Sequence, residues 1–371
     1  MILIRYHLLT VDTQLAQGLV TVLAIGALAV ACEGGTDQGG GSTDSTAPEP
    51  TASLSGETFL GGELVAFPSG DLTIAGELVL PEGDGPFPAL LFLSGSGSQR
   101  RDGYAGQLDF RSGEFLTAIS AQGGIAVLSF DDRGAGETPI GVTDPTTLGY
   151  DTIVGDARAA YDYLTGRSDI DSSKIFLMGH SEGALTALIL ATSEKPGPVG
   201  VVLMSAPGRP QVEISIDQAV WVLGPDATQE QKDSIAARQR AVLQAMIDDQ
   251  IAEFEAPEAE KAVMRAQALW LREIWEYDPA ELAVGVDAPL LILQGDKDFQ
   301  VLAEKDGVRL DETLAAAGKS NFSYVLLADA DHLMWLEEGT SSVARYMAPG
   351  REFHPEFLAG LLTWLVEQLP A

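Results

Sequence analysis

Two spacings of apolar residues alternate along most of the chain. Ala89–Leu93, Ile125–Phe130, Ile175–Met178, Val199–Met204 and Leu290–Gln294 are short, nearly unbroken apolar runs. Such runs mark strands buried on both faces. Phe322–Leu327 reads as a last strand. Between them the spacing turns helical: Val154, Ala157, Tyr161 and Leu164 predict a helix over Thr152–Leu164. Phe115–Ala121, Val301–Ala317 and Glu356–Leu369 read the same way, as does the Ala/Leu-rich run after Gly183. Leu64–Phe67 and Leu72–Leu80, joined by Pro68-Ser69-Gly70-Asp71, predict an antiparallel entry hairpin. Strands alternating with helices predict an α/β fold, a mostly parallel central sheet flanked by helices.

Two regions depart from this rhythm. From residue 209 to 285 the chain is charged and helix-like over Gln229–Gln250 and Pro257–Trp275, with no strand signal between. A helical cap inserted between two core strands is expected there, so the core comprises 58–208 and 286–371. At the other departure, residues 1–32 hold an early Arg5 and the uncharged apolar run Gly18–Ala31, an export signal. Its end, Ala29-Val30-Ala31-Cys32, resembles a bacterial lipoprotein signal. That resemblance implies lipidation of Cys32 and a membrane-anchored place in the cell envelope, with secretion as the alternative. Residues 33–57 are rich in Gly, Ser, Thr and Pro and too poor in apolar residues to bury surface; a flexible tether is expected.

Charge and composition narrow the partners. The 371 residues carry 54 acidic and 22 basic side chains, a net charge of -32. Nucleic acid and anionic membrane surfaces are thereby disfavoured, and the only membrane contact expected is the lipid anchor. Cys32 is the single cysteine, which rules out an intrachain disulfide and thiolate metal sites. The four histidines are His7, His180, His332 and His354, leaving little choice for a catalytic base.

The candidate chemistry centres on Lys174–Leu188, where a strand, Gly179-His180-Ser181-Glu182-Gly183 and a helix follow one another. The small glycines let strand and helix cross and lift the Ser181 hydroxyl beyond the sheet. A serine hydroxyl is a poor nucleophile without a base. Functional groups of parallel sheets collect past the carboxyl ends of strands, and two further candidates stand there. Asp296 and Asp298 follow Leu290–Gln294, and His332 follows Phe322–Leu327. His332 is the expected general base, one of the two acids its orienting partner. His354, at the start of the last helix, is expected to cap it, and His180 to be a packing or hydrogen-bonding neighbour.

With these residues assembled, the chain resembles the α/β-hydrolase fold superfamily, and within it bacterial serine esterases with a helical cap. The resemblance rests on LFLSGSGSQRRDG (Leu91–Gly103), SFDDRGAGET (Ser129–Thr138), MGHSEGA (Met178–Ala184), SAPGRP (Ser205–Pro210), WLREIWEYDPAEL (Trp270–Leu282) and LILQGDKDFQV (Leu291–Val301). It implies a Ser-Asp-His triad in that chain order, with Asp298, three residues after Gly295, as the acid. It also implies oxyanion donors at the backbone amides of Glu182 and Ser96, with Gly97 as the fallback for the second. The implied reaction is hydrolysis of a small-molecule carboxylic ester, of short to medium acyl chain, through an acyl-enzyme, without metal or organic cofactor. A peptidase or acyl-thioesterase with the same triad is the alternative. A catalytically inactive binding lipoprotein is the reading from a different class. Trp221, Trp270, Trp275 and Trp335 are candidates to line the substrate pocket.

Overall fold

A computed structural model of the chain describes residues 56–106 and 108–369. The export segment, most of the tether and Cys32 lie outside them. Eight strands form one sheet in the order β1-β2-β6-β3-β7-β8-β9-β10: β1 (Glu63–Ser69), β2 (Leu72–Val79), β3 (Phe87–Leu93), β6 (Ala126–Phe130), β7 (Ile170–His180), β8 (Gly200–Met204), β9 (Leu290–Gly295) and β10 (Phe322–Leu327). The entry hairpin β1–β2 is antiparallel, and β2 pairs antiparallel with β6. All pairings from β6 onward are parallel. A two-stranded ribbon, β4 (Tyr104–Ala105) with β5 (Leu108–Asp109), stands apart.

The helices cover both faces: α1 (Ser112–Gly123), α2 (Tyr150–Thr165) and α3 (Glu182–Ser193) within the first half of the sheet, α8 (Val308–Ala316), α9 (Val343–Tyr346) and α10 (Pro355–Glu367) after it. Side chains alternate across a strand, so each buried strand feeds two cores. Leu91, Leu177, Val201, Leu203 and Ile292 pack with α2 and α3. Leu90, Phe92, Phe176, Met178, Val202 and Leu293 pack with α1 and α10. Unbroken apolar runs are therefore what these strands require.

Between β8 and β9 the chain forms four helices: α4 (Gln211–Trp221), α5 (Gln229–Ile247), α6 (Glu258–Ile274) and α7 (Pro279–Val284). Thr228 and Gln231 close a capping box at the start of α5. The periodicity located α5 and α6 but not α4, whose stripe is short. The single helix expected over Val301–Ala317 is divided: a π turn over Ala303–Gly307 precedes α8. There the buried Asp306 carboxylate turns inward to accept hydrogen bonds from Gly208 N, Arg209 N and Leu302 N, each at 3.1 Å. The charged stretch after β3 is also not a plain loop. Arg101, its side chain fully buried, reaches Asp131 at 3.1 Å and Glu137 at 2.8 Å, so the segment is pinned to the end of β6.

Candidate active site

Ser181 stands between the end of β7 and the first residue of α3, with φ 54° and ψ −120°. That backbone conformation is strained for any side chain other than glycine. Surrounding contacts hold it: Ser181 N donates to Met204 O at 2.9 Å, and Ala184 N donates to Ser181 O at 2.9 Å. The neighbouring glycines are needed for the crossing. A Cβ on Gly179 would overlap the Gly183 carbonyl, and one on Gly183 would overlap the carbonyl oxygens of Leu93 and Ser94. The turn after β3 is equally close, since a Cβ on Gly95 would lie 3.3 Å from Ser181 Cβ. Nucleophile turn and glycine-rich turn are thus in van der Waals contact.

His332 and Asp298 meet in the loops after β10 and β9. His332 Nδ1 is 2.8 Å from Asp298 Oδ2, and both side chains are buried. Gln294 Nε2 donates to the same oxygen at 3.1 Å. Gln300 N and Val301 N donate to the other oxygen at 2.8 and 2.9 Å. The carboxylate is thereby fixed, and with Nδ1 committed to it, Nε2 is the ring nitrogen left to take a proton. The backbone of His332 is held as well: its carbonyl accepts from Ser205 Oγ at 2.8 Å and His180 Nε2 at 3.0 Å. Burial, reinforced by the nearby His332, pushes His180 down to about 3, so it stays neutral and serves as a donor. No hydrogen bond joins Ser181 Oγ to His332 in this state among the described residues; such contacts often tighten only when substrate binds.

The competing candidates go elsewhere. Asp296 accepts from Asp329 N at 2.7 Å and sits 3.6 Å from Lys297. His354 caps α10, its Nδ1 accepting from Glu356 N at 3.2 Å. Of the four candidate tryptophans, Trp270 lines the cavity at Ser181. Trp221 stacks on Phe299 at 3.9 Å, Trp335 is buried beneath Arg351, and Trp275 packs on the main core.

That cavity, ≈ 320 Å³, lies between the sheet's carboxyl edge and helices α4 and α6. Ser181, Glu182 and the turn Ser94–Ser98, with Ser96 and Gly97, form one wall. Asp132 also lines it, accepting from Ser94 Oγ at 2.8 Å and Gln99 N at 2.9 Å. Sequence reasoning passed over Asp132, although its place just after β6 was a usable signal. Burial pushes the Asp132 carboxyl up to about 7. The Glu182 side chain is pushed up to about 8, by burial first and Asp132 second, while the Trp270 indole N–H pulls the other way.

Comparison with known proteins gives the family and the fold. The serine aminopeptidase S33 family of hydrolases matches residues 111–339. Esterase EstD of Thermotoga maritima is 29% identical over 289 residues, 77% of this chain and 64% of that protein. This chain therefore spans somewhat less than two thirds of that relative's length. Among solved structures, the Pyrococcus furiosus esterase PF2001 superposes with a TM-score of 0.53 at 19% identity, covering 86% of this chain and 97% of that one. Proline iminopeptidase of Mycobacterium smegmatis gives 0.52 at 15% identity, covering 82% and 98%. At such identities the structural likeness speaks for the fold, that of the α/β-hydrolases. The family match runs from the residue before α1 to the loop beyond Trp335 and takes in Ser181, Asp298 and His332: the chain belongs to the serine aminopeptidase S33 family of hydrolases.

Proposed function

We propose that this protein hydrolyses small carboxylic esters of short to medium acyl chain through an acyl-enzyme formed on Ser181. The observation that carries the proposal is the 2.8 Å bond from His332 Nδ1 to Asp298 Oδ2, in a chain whose Ser181 sits on a strained turn lining the cavity. His332 Nε2 takes the Ser181 proton as Oγ attacks the ester carbonyl carbon. Asp298 holds the imidazole tautomer and stabilises its charged form. The negative charge that develops on the carbonyl oxygen is met by the amides of Glu182 and Ser96, or of Gly97 in place of Ser96. His332 then returns the proton to the leaving alcohol, and water, activated in the same way, frees the acid. No step requires a metal or an organic cofactor. Helices α4 to α7, within residues 209–285, act as a cap over the acyl or alcohol side. The relative described as an esterase supports this substrate class.

The test is hydrolysis of p-nitrophenyl esters, acetyl through decanoyl, by the full chain and by Ser181→Ala. Turnover of the shorter esters that Ser181→Ala abolishes is the expected result; undiminished turnover by that variant would remove Ser181 from the mechanism. The family's description as an aminopeptidase family favours a second arm with amino-acyl p-nitroanilides. A thioester arm checks the remaining alternative. For the N-terminal region we propose export and lipidation at Cys32, tested by fatty-acid labelling of wild type and Cys32→Ala. Label in both proteins would sink that proposal.

A further inference from the structure

The turn that offers the second oxyanion donor is made of residues that do little to hold it. Gly97 has φ 96°, a region that favours glycine, and Gly95 sits tight against His180 and Ser181. Among the described residues, the amides of Ser96 and Gly97 donate to no protein atom. They are free for an oxyanion, and no bond of their own fixes where they point. Asp132 and Gln99 supply the missing restraint. Asp132 Oδ2 accepts from Ser94 Oγ at 2.8 Å and from Gln99 N at 2.9 Å, so one oxygen ties the first residue of the turn to the last. Asp132 N donates back to Gln99 O at 2.9 Å. The buried Gln99 side chain crosses the turn from within, its Nε2 donating to Gly95 O at 3.0 Å. The loop that carries Asp132 is itself held on both sides. Asp131 N donates to Ala75 O of β2 at 2.8 Å, and Arg133 donates to both Asp156 oxygens of α2 at 2.6 and 2.8 Å. The turn is thus fastened to a post set between sheet and helix.

Oxyanion donors must be in place before the charge develops, and a displacement of about 1 Å can cost on the order of 10²-fold in rate. Resting on the ester-hydrolase reading above, we propose that Asp132 and Gln99 are positioning residues, a clamp that aims the amides of the Ser94–Gln99 turn at the oxyanion. They act through those amides and not on the reacting atoms.

Kinetics on p-nitrophenyl butyrate separate this role from a merely structural one. Asp132→Ala should lower kcat about 10²-fold and Gln99→Leu about tenfold, with KM little changed. Asp132→Asn keeps one oxygen able to accept both bonds and should restore most of the lost rate. Urea midpoints show that each variant folds; Ser94→Ala, which removes a single side-chain bond, takes the place of Asp132→Ala should that variant not fold, and should lower kcat several-fold. A loss confined to KM, or an Asp132→Asn as slow as Asp132→Ala, would overturn the proposal. A second measurement needs no ester. A fluorophosphonate phosphonylates the nucleophilic serine with loss of fluoride, and its phosphoryl oxygen takes the oxyanion's place. Labelling of Ser181 should slow in Asp132→Ala and Gln99→Leu in the same order as kcat and recover in Asp132→Asn. Undiminished labelling in both variants sinks the clamp even if esters are turned over. Slowed labelling in folded variants upholds it even if no ester is, and only the ester reading then falls.

Discussion

Arg209 Nη2 lies 2.8 Å from Asp306 Oδ2, which ties the first residue of the helical insertion to the turn that follows the Asp298 loop. The Asp306 side chain is buried, accepts also from Arg209 Nε at 3.1 Å, and takes its remaining hydrogen bonds from backbone amides of both segments. Removing one partner of a buried pair leaves the other charged and unanswered, at about 3–5 kcal/mol. Asp306→Ala is expected to lose stability of that order in urea unfolding. Because Leu302 N is released with it, ester turnover should fall too. A variant with wild-type stability would show that Arg209 is satisfied by Asp217, 2.8 Å away.

Asp298→Asn keeps the shape of the acid but presents an amide to His332 Nδ1. The wrong tautomer then faces Ser181, and kcat should drop on the order of 10³–10⁴-fold with KM little changed. Steady-state kinetics on a p-nitrophenyl ester measure this. Asp296→Asn, at the neighbouring acid that faces Asp329, serves as the contrast, and an equal loss there would reverse the assignment.

The carboxyls of Glu182 and Asp132 make stability depend on pH. Unfolded, both release their protons near pH 4; folded, burial holds them up to about 8 and about 7. Between those limits the folded state binds more protons than the unfolded one, so stability falls as pH rises from about 4 toward 8. His180 acts in the opposite sense at the acid end. It binds its proton in the unfolded chain near pH 6.5 but only at about 3 when folded, so its contribution is lost as pH falls through that range. Thermal melts from pH 5 to 9 should therefore show a midpoint declining toward alkaline pH. Glu182→Gln should flatten that decline, and an unchanged slope would mean that water reaches the carboxyl freely.

Gly183→Ala tests the crossing of strand and helix. The added methyl meets the carbonyl oxygens of Leu93 and Ser94, backbone atoms that cannot swing aside. A cost of about 1–3 kcal/mol or more is expected, together with a displaced glycine-rich turn and lower activity. Denaturant midpoints and single-turnover rates follow the two effects separately.

Apolar runs and helical spacing by themselves determined the eight strands of the main sheet and most helices, though not the β4–β5 ribbon, because hydrophobic burial and backbone period are local properties of the chain. Ser181 and His332 were legible for a related reason: a strained turn demands small flanking residues, and histidines are scarce. Other features depend on residues far apart in sequence. The resemblance singled out Asp298 over Asp296, but spacing alone left the two acids open. The Asp298–His332 contact, the split of the expected helix at Asp306, and the pinning of Arg101 by Asp131 and Glu137 form only where loops from different strands meet. The same holds for the cavity at Ser181, where Asp132 after β6, Glu182 at α3 and Gln267 on α6 come from three elements. Their proximity, and the burial that raises the two carboxyls, arise from packing. No spacing along the chain encodes them.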